Sequence, residues 1–408
     1  MMSLNTQTAF LARQPIYDRQ LRVFAYELLF RADSSDQANV PDGDQATSDV
    51  ITSALMDIGL DNIVGPHLAF INMTRAFLTG ALPAPLVKER VVLEVLEDIA
   101  PDDELISAVV HLVQEGFEVA LDDFVYRPEF DPLLKIAKIV KLDVLALDPK
   151  QLEADVSLLR DFDVMLLAEK VETYDDYKRC HAMGFDYFQG YFFCKPDILT
   201  GKRPDINRLV ILELMAKLQD PNADAEVLEA IIIQDASLAY RLLRYMNSAF
   251  FALRSECKSM KHAITLMGSD TVKNLASLIL MTHVGNEKPH ELLVTGMIRG
   301  KMCELLGQAD TKKSPEEYFT AGLFSILDAL LDMPLPDVIE SLPLGEDLKA
   351  ALQDYSGPLG VTLKHVLDHQ EGQCSGAPFT HTEQAYACQN AYIDAIKWAD
   401  ESWQTMFQ

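Results

Sequence analysis

The sequence is poor in basic residues: 35 lysines and arginines stand against 62 aspartates and glutamates, for a formal net charge of −27. Nucleic-acid polymers and anionic membranes are bound mainly through basic surface, so this balance argues against both as direct partners. It does not exclude a small anionic ligand, because bound cations can reverse the local field of a site.

The chain also lacks paired cysteines and long apolar runs. No CxxC pair occurs among the six cysteines, so neither a zinc ribbon nor a disulfide framework is indicated, and free thiols in a reducing compartment are expected. No apolar run reaches the roughly 18 residues of a membrane span, and residues 1–13 have no apolar core of a signal peptide. We therefore expect a cytoplasmic protein.

What the chain does have is length and apolar content. Its 408 residues, 49% of them hydrophobic, allow two or three domains with sizeable cores. Residues 195–208 contain Pro196, Gly201 and Pro204, a composition typical of a linker. We therefore predict one domain at 1–203 and a second at 204–408.

From residue 11 to about residue 196, short apolar strands alternate with amphipathic helical patterns. The strand patterns cover residues 22–31, 68–74, 91–97, 117–124, 139–144, 164–172 and 187–193. Polar side chains near their ends recur about every 20 to 28 residues, the length of one strand-plus-helix unit. Repeated units predict a parallel sheet, and at this number we expect a closed (β/α) barrel with its active site at the carboxyl ends of the strands.

Acidic side chains stand at several of these strand ends. Five of them would share one mouth of the barrel: Glu27, Glu94, Asp122, Asp123 and Glu169. Such crowded charges repel and must be neutralised by protons or cations. With the Asn72 carbonyl they form hard oxygen ligands, which suit Mg²⁺ or Mn²⁺. Each acid alone is more commonly a helix cap or a surface charge, but their recurrence at successive strand ends favours a site.

Two divalent ions about 3.5 to 4 Å apart are a common device for cutting phosphodiesters. Asp122 is well placed in the sequence to bridge them. Lys141 would either offset developing negative charge or help to deprotonate the attacking water. The residues thus predict a metal-dependent phosphodiester site.

Residues 14 to about 196 resemble the EAL domains, which bind or hydrolyse the bacterial messenger cyclic di-GMP. The resemblance is carried by Gln-Pro-Ile at 14–16, Glu-Leu-Leu at 27–29 in place of the signature Glu-Ala-Leu, Asp-Asp-Phe at 122–124, Lys-x-Asp at 141–143, Ala-Glu-Lys-Val-Glu at 168–172 and Gln-Gly-Tyr at 189–191. In such enzymes two Mg²⁺ or Mn²⁺ ions activate water, which opens the cyclic dinucleotide to linear pGpG. A TIM-like barrel of EAL type and a homodimer through the barrel are implied.

The same resemblance implies roles for individual residues. The implied metal ligands are Glu27, Asn72, Glu94, Asp122 and Asp123. Catalytic roles are implied for Lys141, Glu169 and Gln189. Contacts to the substrate are implied for Gln14, Arg31 and Asp143. Glu97 would stabilise the loop after the paired aspartates, and Glu172 would have a supporting role.

The chain departs from this family at two places that bear on turnover. Lys170 stands where the family has glycine, and residues 125–130 are Val-Tyr-Arg-Pro-Glu-Phe where it has Gly-Thr-Gly-Tyr-Ser-Ser. Loss of glycine removes backbone freedom from a loop that is expected to move, and Pro128 stiffens it further. Two functions stay open: a phosphodiesterase, which the many retained acids favour, or a silent cyclic di-GMP sensor or protein-docking scaffold.

Helical patterns follow from about residue 205. Apolar residues recur at helical spacing, which predicts core packing, at Val227, Leu228, Ile231, Ile232, Leu238, Leu242, Tyr245 and Met246. Residues 233–249 and 263–268 resemble an HDOD domain, an all-α relative of the HD metal phosphohydrolases. Ser325 and Ile326 take the places of the His-Asp metal doublet, so we expect no hydrolase centre here and instead a regulatory or output role with a protein partner.

His365 and His369 lie four residues apart on a predicted helix. Paired histidines at this spacing can bind zinc, but no third ligand is evident. We therefore expect both to face the solvent.

Overall fold

The computed structural model describes residues 9–32, 59–80, 86–190, 214–215, 217–220, 223–233, 236–247, 259–284, 288–308, 313–342, 344–370 and 382–407. By their contacts they form two compact units, divided near residue 192, with residues 382–385 at the start of the last helix grouped with the first unit. The expected linker at 195–208 lies outside the described residues, so the border at 203 stays a prediction.

In the described part of the first unit, eight strands close into a barrel. They are β1 Ala9–Asp18, β2 Val23–Ala32, β3 Leu68–Met73, β4 Val91–Val95, β5 Glu118–Leu121, β6 Ile139–Asp143, β7 Met165–Glu169 and β8 Tyr187–Gln189. Each strand from β2 to β7 pairs in parallel with the strand that follows it. The alternation did not predict β1, which is antiparallel to both β2 and β8 and so closes the barrel.

Helices connect the parallel strands. They are α1 Leu60–Val64, α2 Arg75–Thr79, α3 Asp103–Glu115, α4 Asp131–Leu134, α5 Pro149–Leu159 and α6 Tyr174–Met183. The Asp102 carboxylate caps α3 by accepting a hydrogen bond from Leu105 N, and Gly116 ends it at φ 102°, a left-handed conformation that glycine adopts without strain. β4 is buried along its whole length, as expected for a parallel strand with both faces covered.

Inside the barrel, one apolar layer lies beneath one polar layer. The apolar layer consists of Ile16, Ala25, Phe70, Val92, Ala120, Ile139 and Leu167. Strand side chains alternate between faces, so the residue two positions further along also points inward. Those residues are Glu27, Asn72, Glu94, Asp122, Lys141 and Glu169, with Gln14 as their counterpart on the antiparallel β1. The strand period thus brings the predicted site residues into one layer.

The second unit is helical throughout its described residues. The helices are α7 Ala225–Ile232, α8 Ala236–Met246, α9 Met260–Met267, α10 Ser269–Val284, α11 His290–Gly307, α12 Pro315–Phe324, α13 Leu327–Leu331, α14 Leu335–Ser341, α15 Glu346–Asp354, α16 Gly357–Gln370 and α17 Thr382–Phe407. At the crossing of α11 and α12, a Cβ atom on Gly322 would lie 2.4 Å from Arg299 O, so the two backbones are in direct contact. No helix in the described ranges has the length and hydropathy needed to span a bilayer.

Two predictions for this unit are wrong. Val227 is 46% exposed and does not belong to the core, whereas the rest of its predicted apolar set is buried. His369 is only 2% exposed, because Tyr392 of α17 covers it with the two ring centroids 5.0 Å apart. Burial lowers the pKa of His369 to about 4. His365, on the same helix, is partly buried.

Candidate active site

Four carboxylates from four different strand ends converge on the ammonium of Lys141, which is completely buried. Lys141 Nζ lies 2.5 Å from Glu94 Oε1 and 2.7 Å from Asp122 Oδ1. It lies 2.9 Å from Glu169 Oε1 and 3.3 Å from Glu27 Oε2. The structure therefore brings together four of the five acids that were expected at the barrel mouth.

One ammonium cannot satisfy this Lys141 cluster. When all four acids are ionised, the cluster carries three negative charges in excess. Both carboxylate oxygens of Glu94, Asp122 Oδ1 and Glu169 Oε2 are buried and have no aligned hydrogen-bond donor among the described residues. Glu94 Oε1 and Asp122 Oδ1 do form ion pairs with Lys141 Nζ, whereas Glu94 Oε2 and Glu169 Oε2 have no cation beside them among the described residues. Unsatisfied buried acceptors of this kind point to a ligand.

Glu27 is the best oriented acid of the cluster. Its Oε1 accepts a hydrogen bond from Asn72 Nδ2 at 3.1 Å, and its Oε2 accepts one from Gln189 Nε2 at 2.7 Å. Gln189 Nε2 also donates to Gln14 Oε1 at 3.0 Å. Burial alone would raise the pKa of Glu27, but the Lys141 charge and these amide donors lower it below its ordinary value. Glu27 is therefore held ionised and in a fixed direction.

The other members of the cluster respond differently to burial. Burial raises the pKa of Asp122, raises that of Glu169 to about 8 and raises that of Glu94 well above its ordinary value, with Lys141 offsetting only part of the effect. Burial would lower the pKa of Lys141, but the surrounding acids hold it well above its ordinary value. Lys141 therefore stays an ammonium, and the acids with raised pKa values bind a proton or another cation readily.

The donor set fits a hard divalent cation. In the described ranges, no three acidic, histidine or cysteine side chains are arranged to chelate one ion, since the carboxylates face Lys141 instead. The chemistry is nevertheless suitable, because Asn72 Oδ1 and several carboxylate oxygens are buried without a donor. Oxygen ligands of this kind are those that Mg²⁺ and Mn²⁺ take in proteins.

Asp123 belongs to a different cluster, although it is adjacent to Asp122. The Lys170 ammonium contacts Asp123 Oδ1 at 3.3 Å and Asp143 Oδ2 at 2.5 Å. Burial would lower the pKa of Lys170, but its hydrogen bond to Asp143 and the charge of Asp123 raise it to about 12. The sequence showed Lys170 only as a departure from a glycine position, and nothing in its neighbours indicated these two partners.

Three further site residues are less fully defined. Arg31 lies in β2, and its side chain is outside the described part of the structure. Glu97 is exposed after β4 and forms no hydrogen bond or ion pair within the described residues. Glu172 is exposed after β7. Their roles stay predictions.

The segment 125–130, where the chain departs from the EAL pattern, is anchored to the barrel. It contains a 3₁₀ turn, Pro128–Phe130, and the buried Phe130 ring meets Phe124 edge-on with centroids 5.5 Å apart. Arg127 lies over the Phe130 ring at 4.9 Å, and Tyr126 donates a hydrogen bond to Asp131 at 3.2 Å. This packing agrees with a stiff rather than a glycine-rich segment.

These features define a class: an α/β barrel with one antiparallel strand and an acidic pocket at its mouth, followed by an all-helical domain. Residues 2–196 match the family model of the EAL domain, and residues 207–338 match that of the HDOD domain. The chain belongs to the family of proteins that join an EAL domain to an HDOD domain. The resemblances and the fold class expected from the sequence are thereby confirmed.

Two curated relatives extend over most of the chain. The cyclic di-GMP phosphodiesterase CdgJ of Vibrio cholerae is 34% identical over 360 residues, which are 87% of this chain and 83% of that protein. The uncharacterized protein YuxH of Bacillus subtilis is 31% identical over 402 residues, which are 95% of this chain and 97% of that one. Among solved structures, the PaMucR phosphodiesterase in complex with c-di-GMP aligns at 21% identity and a TM-score of 0.38, over 50% of this chain and 94% of that one.

Proposed function

We propose that the barrel is a metal-dependent phosphodiesterase that opens cyclic di-GMP to linear pGpG, and that the HDOD unit regulates it or relays its output. The observation that carries this proposal is the convergence of three buried carboxylates and the partly buried Asp122 on one ammonium, with several oxygens left without a donor. So much excess negative charge is costly unless protons or cations bind, and a divalent cation could balance two of these charges at once. The named activity of the relative from Vibrio cholerae supports the same substrate.

The residues that would hold Mg²⁺ or Mn²⁺ are Glu27, Asn72, Glu94 and Asp122, and a second ion, which the resemblance to EAL domains implies, would also need Asp123. A bound divalent ion would supply an acidified water as the nucleophile and would stabilise the charge that develops on the phosphate. The direction of Glu27 is set within the chain by two amide donors, Asn72 and Gln189. The pocket is therefore organised before any ligand enters.

Of the two roles considered for Lys141, we assign the electrostatic one. An ammonium enclosed by four carboxylates has no tendency to accept a proton, but it stabilises negative charge at the reacting phosphate. We assign proton transfer with the substrate or water to Glu169, which lines the same pocket. Gln14, Arg31 and Asp143 are assigned to holding the dinucleotide, with Glu97 and Glu172 in supporting roles. A homodimer through the barrel and a protein partner for the HDOD unit complete the proposal.

A silent sensor or docking scaffold is the second candidate. It is favoured by the ion pair of Lys170 with Asp123, which engages an expected metal ligand, and by the packing of Phe130 on Phe124 in the altered segment. In this case the barrel would bind cyclic di-GMP without cleaving it, or would bind only a protein.

The deciding experiment incubates the purified full chain with cyclic di-GMP and either Mg²⁺ or Mn²⁺, and separates the products by chromatography. We expect pGpG, and we expect Glu27→Ala to lower turnover by roughly 100-fold or more. Glu118→Ala is the matched control, because Glu118 is an exposed acid at the opposite end of a barrel strand. Nucleotide binding without product would establish the sensor instead, and the absence of both would establish the scaffold.

A further inference from the structure

A smaller ion cluster, formed by Lys170, Asp123 and Asp143, accompanies the Lys141 cluster in the barrel unit. Its three side chains are 51%, 37% and 16% exposed, so it lies nearer the solvent than Lys141 does. Lys170 Nζ contacts one oxygen of each aspartate. The carboxylate that the second expected metal ion would need, that of Asp123, therefore already has a cation beside it.

The backbone holds both partners of the Lys170–Asp123 pair in an unusual conformation. Lys170 has φ 56° and Asp123 has φ 40°, values in the left-handed region that side-chain-bearing residues rarely adopt. Lys170 is fixed on its C-terminal side as well, because Val171 N donates to Gln189 O at 3.0 Å. The two adjacent aspartates consequently diverge, with Asp122 contacting Lys141 and Asp123 contacting Lys170.

Asp143 fixes the position of the Lys170 ammonium. Its Oδ1 accepts hydrogen bonds from Leu145 N at 2.8 Å and Ala146 N at 3.0 Å, while its Oδ2 faces Lys170. A carboxylate held by two backbone donors cannot turn away easily, so Lys170 has a rigid acceptor at the point where it meets Asp123.

The charge balance of the two clusters differs. The Lys141 cluster has three negative charges in excess when ionised, whereas the Lys170 cluster has one. A cation approaching Asp123 would meet the repulsion of an ammonium a few ångströms away, in surroundings where that charge is only partly screened. The Lys141 cluster thus keeps three excess negative charges to attract a cation, whereas the Lys170 cluster keeps one.

We propose that the Lys170 ammonium takes the place of a divalent cation on Asp123, so that the unaltered chain binds one divalent ion per barrel and a chain without this ammonium binds two. The inference rests on the metal-dependent function proposed above, because it concerns how many ions that pocket holds. Lys170 is in this sense a residue that determines metal stoichiometry.

The test is a titration of the metal-free full-length protein with Mn²⁺ alone. Calorimetry measures the number and affinity of the bound ions, and electron paramagnetic resonance detects whether two ions lie close together. Lys170→Met removes the charge and keeps the bulk, and Lys170→Arg keeps the charge. Lys170→Gly is a second uncharged variant, whose backbone adopts the left-handed conformation without strain. We expect one Mn²⁺ in the unaltered chain and in Lys170→Arg, and two in the uncharged variants. In the uncharged variants, the second Mn²⁺ should bind at least about tenfold more tightly than any second Mn²⁺ that binds weakly to the unaltered chain.

A spin-coupled Mn²⁺ pair, seen only in the uncharged variants, would support the inference independently of activity. Two ions in the unaltered chain, or equal numbers in the unaltered chain and Lys170→Met, would overturn the inference and leave the proposed phosphodiesterase in place. If no variant binds Mn²⁺, the inference fails together with the metal-dependent function.

Discussion

Lys141 in the barrel and Arg299 in the helical unit are both buried cations, but their partners differ. Lys141 meets four carboxylates. Arg299 donates from Nε to Gln370 Oε1 at 2.8 Å and from Nη1 to Ser325 Oγ at 3.2 Å, both neutral groups. Burial raises the pKa of the nearby acid Asp328, although the charges of Arg299 and Lys288 oppose this effect.

The difference shows what distinguishes a site from a structural contact. A cation with surplus acids leaves negative charge that protons or further cations must balance, whereas a cation with neutral acceptors is satisfied within the fold. Ser325, which the sequence resemblance aligns with a metal-binding histidine of HD enzymes, accepts a hydrogen bond from Arg299. Among the described residues of the helical unit, no three potential ligands are grouped to hold a metal.

Replacing Lys141 or Arg299 by methionine should give the largest difference between the two units, both in unfolding free energy and in turnover. Lys141→Met leaves four carboxylates facing one another, so we expect the free energy of unfolding to fall by about 3 to 5 kcal/mol without metal. Turnover of cyclic di-GMP should fall roughly 100-fold or more. Arg299→Met removes donors from two neutral acceptors and one positive charge that acts on Asp328, which should cost about 1 to 3 kcal/mol and change turnover less than about twofold. Urea unfolding and product formation measure the two effects.

Each variant has a result that would contradict the proposed difference between Lys141 and Arg299. Lys141→Met with unchanged turnover would contradict the electrostatic role assigned to Lys141. Arg299→Met with turnover as low as that of Lys141→Met would make the helical unit part of the catalytic machinery. A correctly folded barrel, checked by circular dichroism, is required in both cases.

The pocket was largely predictable because it follows from the strand period. Glu27 comes two residues after the apolar Ala25, and Lys141 comes two residues after Ile139. In each of these two strands, the apolar residue lies in the inner layer of the barrel, and the polar residue two positions later lies in the layer at the barrel mouth. Closure of the barrel then brings these positions together without any further information.

What the sequence did not show depends on less regular features. The β1 strand is joined to β2 by a tight antiparallel turn and needs no crossover helix, so it falls outside the strand–helix alternation. The Lys170–Asp123 contact joins positions 47 residues apart through two left-handed backbone positions, which only the folded chain reveals. His369 was placed on the solvent face of its helix, but α17 supplies Tyr392 to cover it.

The close crossing of α11 and α12 beside Arg299 gives a further prediction, with a smaller expected effect, about what stabilises the helical unit. A methyl group on Gly322 would lie 2.4 Å from Arg299 O and 2.6 Å from Gly300 Cα. Because neither is the end of a flexible side chain, Gly322→Ala should force the helices apart and cost about 3 kcal/mol in unfolding free energy. Urea unfolding followed by circular dichroism checks this.

Gly345→Ala is the matched control for that substitution. A Cβ atom there has no neighbour within 4 Å among the described residues, and Gly345 has φ −62°. Because Gly345 is the N-cap of α15, where alanine is less favourable than glycine, we expect a cost of up to about 1 kcal/mol, clearly below that of Gly322→Ala. Equal effects of the two substitutions would show that the helices do not meet through their backbones at Gly322.

The smallest expected effect concerns His369, which adjoins the Arg299 acceptor Gln370. Its pKa, lowered by burial to about 4, lies below the ordinary value of 6.5, so the unfolded chain binds the proton first. His369 therefore contributes stability above pH 6.5 that is lost as the pH falls towards 4, amounting to about 2 kcal/mol between pH 7 and pH 5. His369→Phe keeps an aromatic ring against Tyr392 and removes the titration. Its unfolding free energy should fall less than that of the unaltered chain over this interval.

His365→Phe serves as the control, because the more accessible His365 sits on the same helix and should contribute less to the pH dependence. The comparison is the difference in unfolding free energy between pH 7 and pH 5 for the three proteins, measured in urea with the metal concentration held constant. Identical differences for His369→Phe and the unaltered chain would mean that His369 takes up its proton without unfolding. The folded helical unit would then accommodate a protonated His369, and it would no longer differ from the Lys141 pocket in how it responds to protonation.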